Sequence, residues 1–411
     1  MTKQIDKTPF YILFFICFLD LFILFYCVSN LSISYDEAKI FYVENSLLSY
    51  IVRFSCKIFG QNDYALRLPF LIFHFLSLIL FYKISKHILK RKNDRYVCVI
   101  LFIFLPGILA SAILVNEAGL VLLLTLFMIY LYQNNFLKSF YISMFICAFL
   151  SNSFMLFYVC VLMFGIYIKH RRISFVALFC FIVSISFFGF EIDGKPKGYL
   201  LDTIGIFAAV FSPFLFLYFI YTIYRIAIKK EEDKNIVWFV SAGSFVVCAL
   251  FSIRQKLYLE DFLPFSIIAL PLMIRVFFNS YRARLPQFRV KYKIFTTFVL
   301  FSLLFFSMLI VLNPVLYAMS FRDKPQKHFA YNYHIAKELS IFLKENKFEN
   351  LYIKDYKMAL RLKFYGINND KKSNIFLEEK KYTSKNDEII SKFKLYKVNT
   401  LISQYNVIKE K

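Results

Sequence analysis

Charged residues that interrupt long apolar runs are the first place to look for chemistry in this chain, because a charge near hydrocarbon is costly. One group is Tyr35-Asp36-Glu37-Ala38-Lys39, followed by Glu44. A second is Asp63 with Arg67. The short turn Val115-Asn116-Glu117-Ala118 is a third, and Arg254-Gln255-Lys256-Leu257-Tyr258-Leu259-Glu260-Asp261 a fourth. Carboxylates and cations gathered in one place suit transfer from a phosphate leaving group. One carboxylate acts as base on an acceptor hydroxyl or amine, while Arg or Lys neutralises the departing phosphate. The competing reading of any single group is a charged loop end.

Those residues need elements to hold them, and composition says what kind. Of 411 residues 59% are hydrophobic and 19% charged, whereas soluble domains are about half apolar. Apolar windows of about 17 or more residues recur over the first three-quarters of the chain, each long enough to cross roughly 30 Å of hydrocarbon. About 11 helices are expected, near 9–29, 68–85, 96–114, 119–132, 139–151, 153–168, 173–190, 203–224, 236–253, 262–278 and 294–318. The fifth and sixth are short and meet at Ser151-Asn152-Ser153, which reads as a shallow hairpin rather than two full crossings. The first is too long for a signal h-region and no small-residue cleavage site follows, so it reads as a retained anchor.

The net charge of +23 would suggest nucleic acid in a soluble protein. Here most of the excess sits in short loops, where it sets topology, and no nucleic-acid partner is expected. Lys83 to Arg95 and Arg275 to Lys293 carry six Lys/Arg each, and Lys169-His170-Arg171-Arg172 carries three; the alternate loops are poorer. That bias places the N-terminus in the cytoplasm, and the three polar loops together with the tail from 319 onward outside. Between the first two spans, Leu47 to Phe59 alternates apolar residues with Arg53 and Lys57 and reads as an interfacial helix ended by Gly60.

The tail, 319–411, is expected to be a small soluble α/β domain. Ala330 to Leu343 has helical spacing, Asn350 to Ile353 reads as a strand, a helix follows from Lys357, and a further strand lies near Asn374 to Leu377. The eight cysteines have no CxxC or zinc-type spacing and support no disulfide framework. Asp20 and His74, inside the first two spans, read as core residues satisfied within the bundle. His328 and His334 are poorly spaced for a shared metal.

The acidic pair after the first span, and the amphipathic run closing in Ile58-Phe59-Gly60-Gln61-Asn62-Asp63-Tyr64-Ala65-Leu66-Arg67-Leu68-Pro69, carry a resemblance. They are similar to the GT-C superfamily, and more narrowly to glycosyltransferase family 39, with the lipid A aminoarabinose transferase and the protein O-mannosyltransferases. Glu117 stands where the family usually has Asp before its fourth helix. Arg254, Lys256 and Tyr258 precede Pro264 and Pro271, as a basic residue and a Tyr precede a Pro-containing tenth helix there. The likeness is strong over the first 130 residues and loose afterwards.

The resemblance implies an all-α polytopic membrane protein of GT-C type, with residues 1–318 catalytic (outer loop 31–67) and a small extracytoplasmic α/β domain. It implies a multi-pass place in the bacterial inner membrane. The activity it implies is transfer of a sugar from a polyprenyl-phosphate donor to a lipid, glycan or protein acceptor at the outer face. Carried over, Asp36 is the base or acceptor-orienting carboxylate, and Glu37 and Glu117 complete the catalytic acids. Arg254, Lys256 and Tyr258 hold the donor phosphate, with Arg67 and Glu44 in support. Glu44-Asn45-Ser46 replaces the usual Lys-Pro-Pro or His-Pro-Pro, which points to an unusual acceptor. No His/Asp/Glu cluster has convincing ligand spacing, so a divalent metal is compatible with the reading but not read from the residues. The rival classes are a lipid-linked-sugar transporter and a lipid-binding relative without catalysis.

Overall fold

The computed structural model describes residues 8–189, 198–228, 234–254, 264–319, 321–379 and 388–409. The fold is mostly helical, with a small sheet near the C-terminus. The helices are α1 (Thr8–Ser29), α2 (Tyr35–Tyr42), α3 (Leu47–Phe59), α4 (Asp63–Ile88), α5 (Lys92–Ile103), α6 (Pro106–Ile113), α7 (Glu117–Gln133), α8 (Leu137–Cys147), α9 (Phe154–Tyr167) and α10 (Arg171–Phe188). They continue with α11 (Leu200–Phe211), α12 (Pro213–Ile228), α13 (Ile236–Phe251), α14 (Leu270–Ala283), α15 (Pro286–Val311), α16 (Val315–Met319), α17 (Ala336–Glu345) and α18 (Tyr356–Phe364).

Four described helices are long and apolar enough to cross a membrane: Asp63–Ile88, Arg171–Phe188, Pro264–Ala283 and Pro286–Val311. The number rises to six if each of two bent pairs is one span. This falls short of the 11 expected, and the reason is local. The run 96–114 breaks between α5 and α6 with a 59° bend, and 203–224 breaks between α11 and α12 with a 103° bend. In each case proline opens the second helix, Pro106 and Pro213, because it lacks the N–H that would continue the ladder and clashes with the carbonyl four residues back. Ser212, just before Pro213, has φ 75°. Shorter apolar helices of 10–17 residues, among them α7, α8, α9 and α13, make up the rest.

The chain divides into two compact units, and the division falls within α1, α4, α6 and α15. The first comprises Met1–Leu21, Phe70–Ala112 and Asn116–Ser307. Its core is aliphatic and aromatic, with Phe81, Phe102, Phe140, Phe157 and Phe219 fully buried. Asp20 and His74 meet inside this unit, Nε2 to Oδ2 at 2.7 Å, both nearly inaccessible. Each reads as a lone core residue in the sequence; pairing is how such groups are tolerated away from water.

The second unit comprises Phe22–Pro69, Ile113–Val115 and Met308–Lys411. The segment after the first helix and the tail therefore form one body. Its five-stranded sheet has β1 (Asn350–Ile353), β2 (Asn368–Asn369), β3 (Ile375–Glu379), β4 (Glu388–Lys397) and β5 (Thr400–Lys409) in the order β2-β1-β3-β5-β4. β1 runs parallel to β2 and β3, whereas β5 is antiparallel to both β3 and β4. Leu339, Leu343, Leu351, Ile353, Leu362 and Val407 fill the core between this sheet and helices α17 and α18. The two helices and the strands β1 and β3 match the expected tail. The β4–β5 hairpin is additional to it.

Candidate functional site

The second unit holds the acidic segment, and its geometry is built from the backbone outward. Ser34 and Glu37 form a reciprocal capping box at the start of α2: the Ser34 hydroxyl accepts from the Glu37 N–H at 3.2 Å, and Glu37 Oε2 accepts from the Ser34 N–H at 2.9 Å. Arg67 donates to the same Oε2 at 2.9 Å, and the Val115 N–H donates to Oε1 at 3.1 Å. Glu37 is 2% exposed. Both of its oxygens are engaged, holding the start of α2, Arg67 and the Val115 backbone together.

Arg67 is wholly buried. Besides Glu37, it donates to the carbonyls of Leu31 (3.3 Å) and Ser32 (3.0 Å), and it lies 3.7 Å from Asp63. A guanidinium can bridge several acceptors because it presents five donors in a fixed plane. Asp63 also accepts from the Tyr365 hydroxyl at 2.6 Å and pairs with Lys337 at 3.3 Å. Tyr365 in turn accepts from the Ile33 N–H at 2.9 Å. Burial, with Asp63 beside it, holds the Tyr365 hydroxyl above the ordinary phenol range.

The same string explains its remaining residues. Gln61 donates to the Tyr42 hydroxyl and the Phe364 carbonyl. Asn62 accepts from the Ala65 N–H at 2.8 Å and caps the start of α4. Pro69 leaves the Ala65 carbonyl without its helical donor, and the Ser55 hydroxyl takes that place at 2.6 Å. Gly60 ends α3 at φ 83°, a left-handed conformation that L side chains rarely adopt.

These contacts fix α2 and leave Asp36 exposed in its first turn. There the unpaired N–H groups of the helix start favour negative charge. Lys357 and Lys363, on α18, lie over the rings of Tyr35 (5.2 Å) and Tyr42 (4.6 Å). Arg53 ties α3 to the end of α2 through the Phe41 and Glu44 carbonyls, at 2.6 and 2.7 Å. The Glu44 side chain pairs with Lys39 at 3.2 Å on the surface. On α3, Tyr50, Phe54 and Ile58 stand exposed at four-residue spacing while Leu48, Val52 and Cys56 are buried. Such a helix has apolar residues on both faces.

One nearby group carries no signal in the sequence. Tyr333 lies in a short turn of the tail, and its carbonyl accepts from the Ser32 N–H at 2.7 Å. Burial raises its hydroxyl pKa, and the charges of Glu37 and Asp36 add to the effect. A Tyr-Asn-Tyr triplet in a polar tail does not announce a neighbour some 300 residues upstream. The two tail histidines also meet through a third residue: His328 stacks on Tyr317 at 4.1 Å, and the Tyr317 hydroxyl lies 3.0 Å from His334 Nδ1. Burial, with Lys397 and His328 nearby, pushes His334 down to about 3.

Glu117 and Arg254 belong to the first unit. Glu117 opens α7, half-buried, and accepts from the Ser151 hydroxyl at 2.6 Å, which ties it to the turn between α8 and α9. Arg254 is exposed in the turn that closes α13, its N–H donating to the Phe251 carbonyl at 3.0 Å. Lys256 and Tyr258 lie outside the described residues. Among the described residues no group of three or more His, Cys, Asp or Glu is placed to hold a metal ion. No family model matches the chain, and no curated protein matches it.

Proposed function

We propose that this membrane protein is a glycosyltransferase that moves a sugar from a polyprenyl-phosphate donor to a lipid, glycan or protein acceptor at the outer face of a bacterial inner membrane. In this reading the N-terminus is cytoplasmic and the second unit extracytoplasmic. The observation that carries it is Asp36: an exposed carboxylate in the first turn of a helix capped by Ser34 and Glu37 and anchored through Arg67. Asp36 takes the proton of the acceptor hydroxyl or amine as that atom attacks the anomeric carbon. The bond from that carbon to the donor phosphate breaks, and its electron pair leaves on the phosphate oxygen. A cation must neutralise the departing charge, the part that the resemblance gives to Arg254 and Lys256. Glu37 acts through the backbone it organises at the start of α2.

Mass spectrometry of outer-surface lipids and glycans from a strain lacking the gene tests the proposal. A missing sugar substituent is expected, and it names donor and acceptor together; an unchanged envelope contradicts it. A second reading, a transporter for a lipid-linked sugar, has one observation in its favour, the buried Asp20–His74 pair in the first unit. Labelling of an Asp36→Cys variant separates the two. An enzyme keeps this position accessible from one side only, whereas a transporter exposes its site alternately to both.

A further inference from the structure

Helices α5, α12, α14 and α15 line a cavity of about 270 Å³ with residues that all belong to the first unit. Its wall is almost entirely apolar, with Leu101, Leu215, Ile274, Phe278 and Val299 among the contributors. No residue given a part in sugar transfer lines it. The volume lies near the lower end of ligand pockets, roughly 300 Å³, and suits a single chain better than a compact polar molecule. α14 and α15 belong to candidate membrane spans, so the solvent that reaches this crevice is hydrocarbon.

Cations gather at its edge. The Arg282 guanidinium lies 4.8 Å from the ring centre of Phe278, and that of Arg284 lies 4.5 Å from Tyr292; both rings line the cavity. Arg225 lies over Tyr221, which packs at 5.7 Å on the lining ring of Tyr218. Asp94 pairs with Arg282. Among the described residues no carboxylate pairs with Arg284, which is exposed. Arg225 donates to the hydroxyls of Tyr221 and Ser280, and a guanidinium has five donors in all.

We propose that this crevice holds one acyl chain of an anionic phospholipid whose headgroup phosphate sits on Arg284 and Arg225. The apolar wall excludes a polar ligand, and the cationic edge selects the sign of the headgroup. A bidentate guanidinium–phosphate contact gives the selection its strength. A zwitterionic lipid fills the crevice equally well but brings a compensating positive charge to the arginines.

Native mass spectrometry of the full chain, titrated with phosphatidylglycerol and with phosphatidylcholine, tests this. The wild type is expected to retain phosphatidylglycerol about tenfold more tightly, the equivalent of one charge-assisted hydrogen bond. Arg284→Gln, at an exposed position, is expected to remove most of that preference. Thr296→Trp, which fills the cavity from its wall, is expected to abolish retention of both lipids while Arg284→Gln keeps the weaker, headgroup-blind binding. Equal retention of the two lipids by the wild type overturns the proposal, as does wild-type preference in Arg284→Gln. Displacement of phosphatidylglycerol by an equimolar polyprenyl phosphate assigns the crevice to a different lipid and overturns it too.

Discussion

Both oxygens of Glu37 are occupied, and the cation that holds one of them, Arg67, also carries the Leu31 and Ser32 carbonyls. Such a hub does its work through geometry. Arg67→Lys keeps the charge but loses the fork, so the chain is expected to lose about 1.5–3 kcal/mol, one charged hydrogen bond or two. Arg67→Gln leaves Glu37 buried without a cation and Asp63 with Lys337 alone, and is expected to cost about 3–5 kcal/mol. Thermal melting of the detergent-solubilised full chain measures both, and a Lys variant that melts with the wild type contradicts the hub. The string from Gln61 to Pro69 stands out in the sequence as unusual, but not for what it does there. Residue types cannot distinguish an Arg that meets a phosphate from one that meets two backbone carbonyls and a carboxylate.

At the scale of elements, hydropathy locates nearly every helix of the first unit because lipid-facing and core-facing positions are both apolar. It does not locate the breaks at Pro106 and Pro213, where an unbroken apolar run conceals a bend. Nor does it join Asp20 to His74, since neither residue's partner is encoded near it. The pair is expected to couple by about 0.6–1.7 kcal/mol, from the average to the largest coupling of polar pairs between membrane helices. A double-mutant cycle on Asp20→Leu and His74→Phe measures this in folded yield or melting temperature, and strictly additive losses contradict it. The β4–β5 hairpin escapes sequence reading for a different reason. Its turn is Val398-Asn399, at φ 47° and 59°, where Asn or Gly is the usual residue and β-branched Val is strained. Val398 is half-exposed, so Val398→Asn is expected to gain about 1 kcal/mol by relieving that strain. A lower melting temperature contradicts it.

Across the whole molecule, composition points to a membrane protein, and the described helices long and apolar enough to cross a membrane agree with it. What composition does not carry is that the segment after α1 folds with the tail. The bond from Ile33 to Tyr365 closes over 332 residues, and Arg361 reaches back to the Ile33 carbonyl from α18. Contacts of such range leave no periodicity to read. The consequence for function is that α2, with Asp36 on it, is positioned by the sheet-bearing unit rather than by a loose loop. Sugar transfer is therefore expected to depend on an intact tail.

The most direct measurement is transfer by purified full-length protein carrying Asp36→Asn, with Asp36→Glu as its partner, followed by release of polyprenyl phosphate from a labelled lipid-linked sugar. The account predicts that Asn reduces the rate by at least about 10²-fold, the ordinary contribution of a positioned acid or base. Glu is predicted to restore part of that loss, and both variants to melt with the wild type. Full transfer by Asp36→Asn would contradict the central claim.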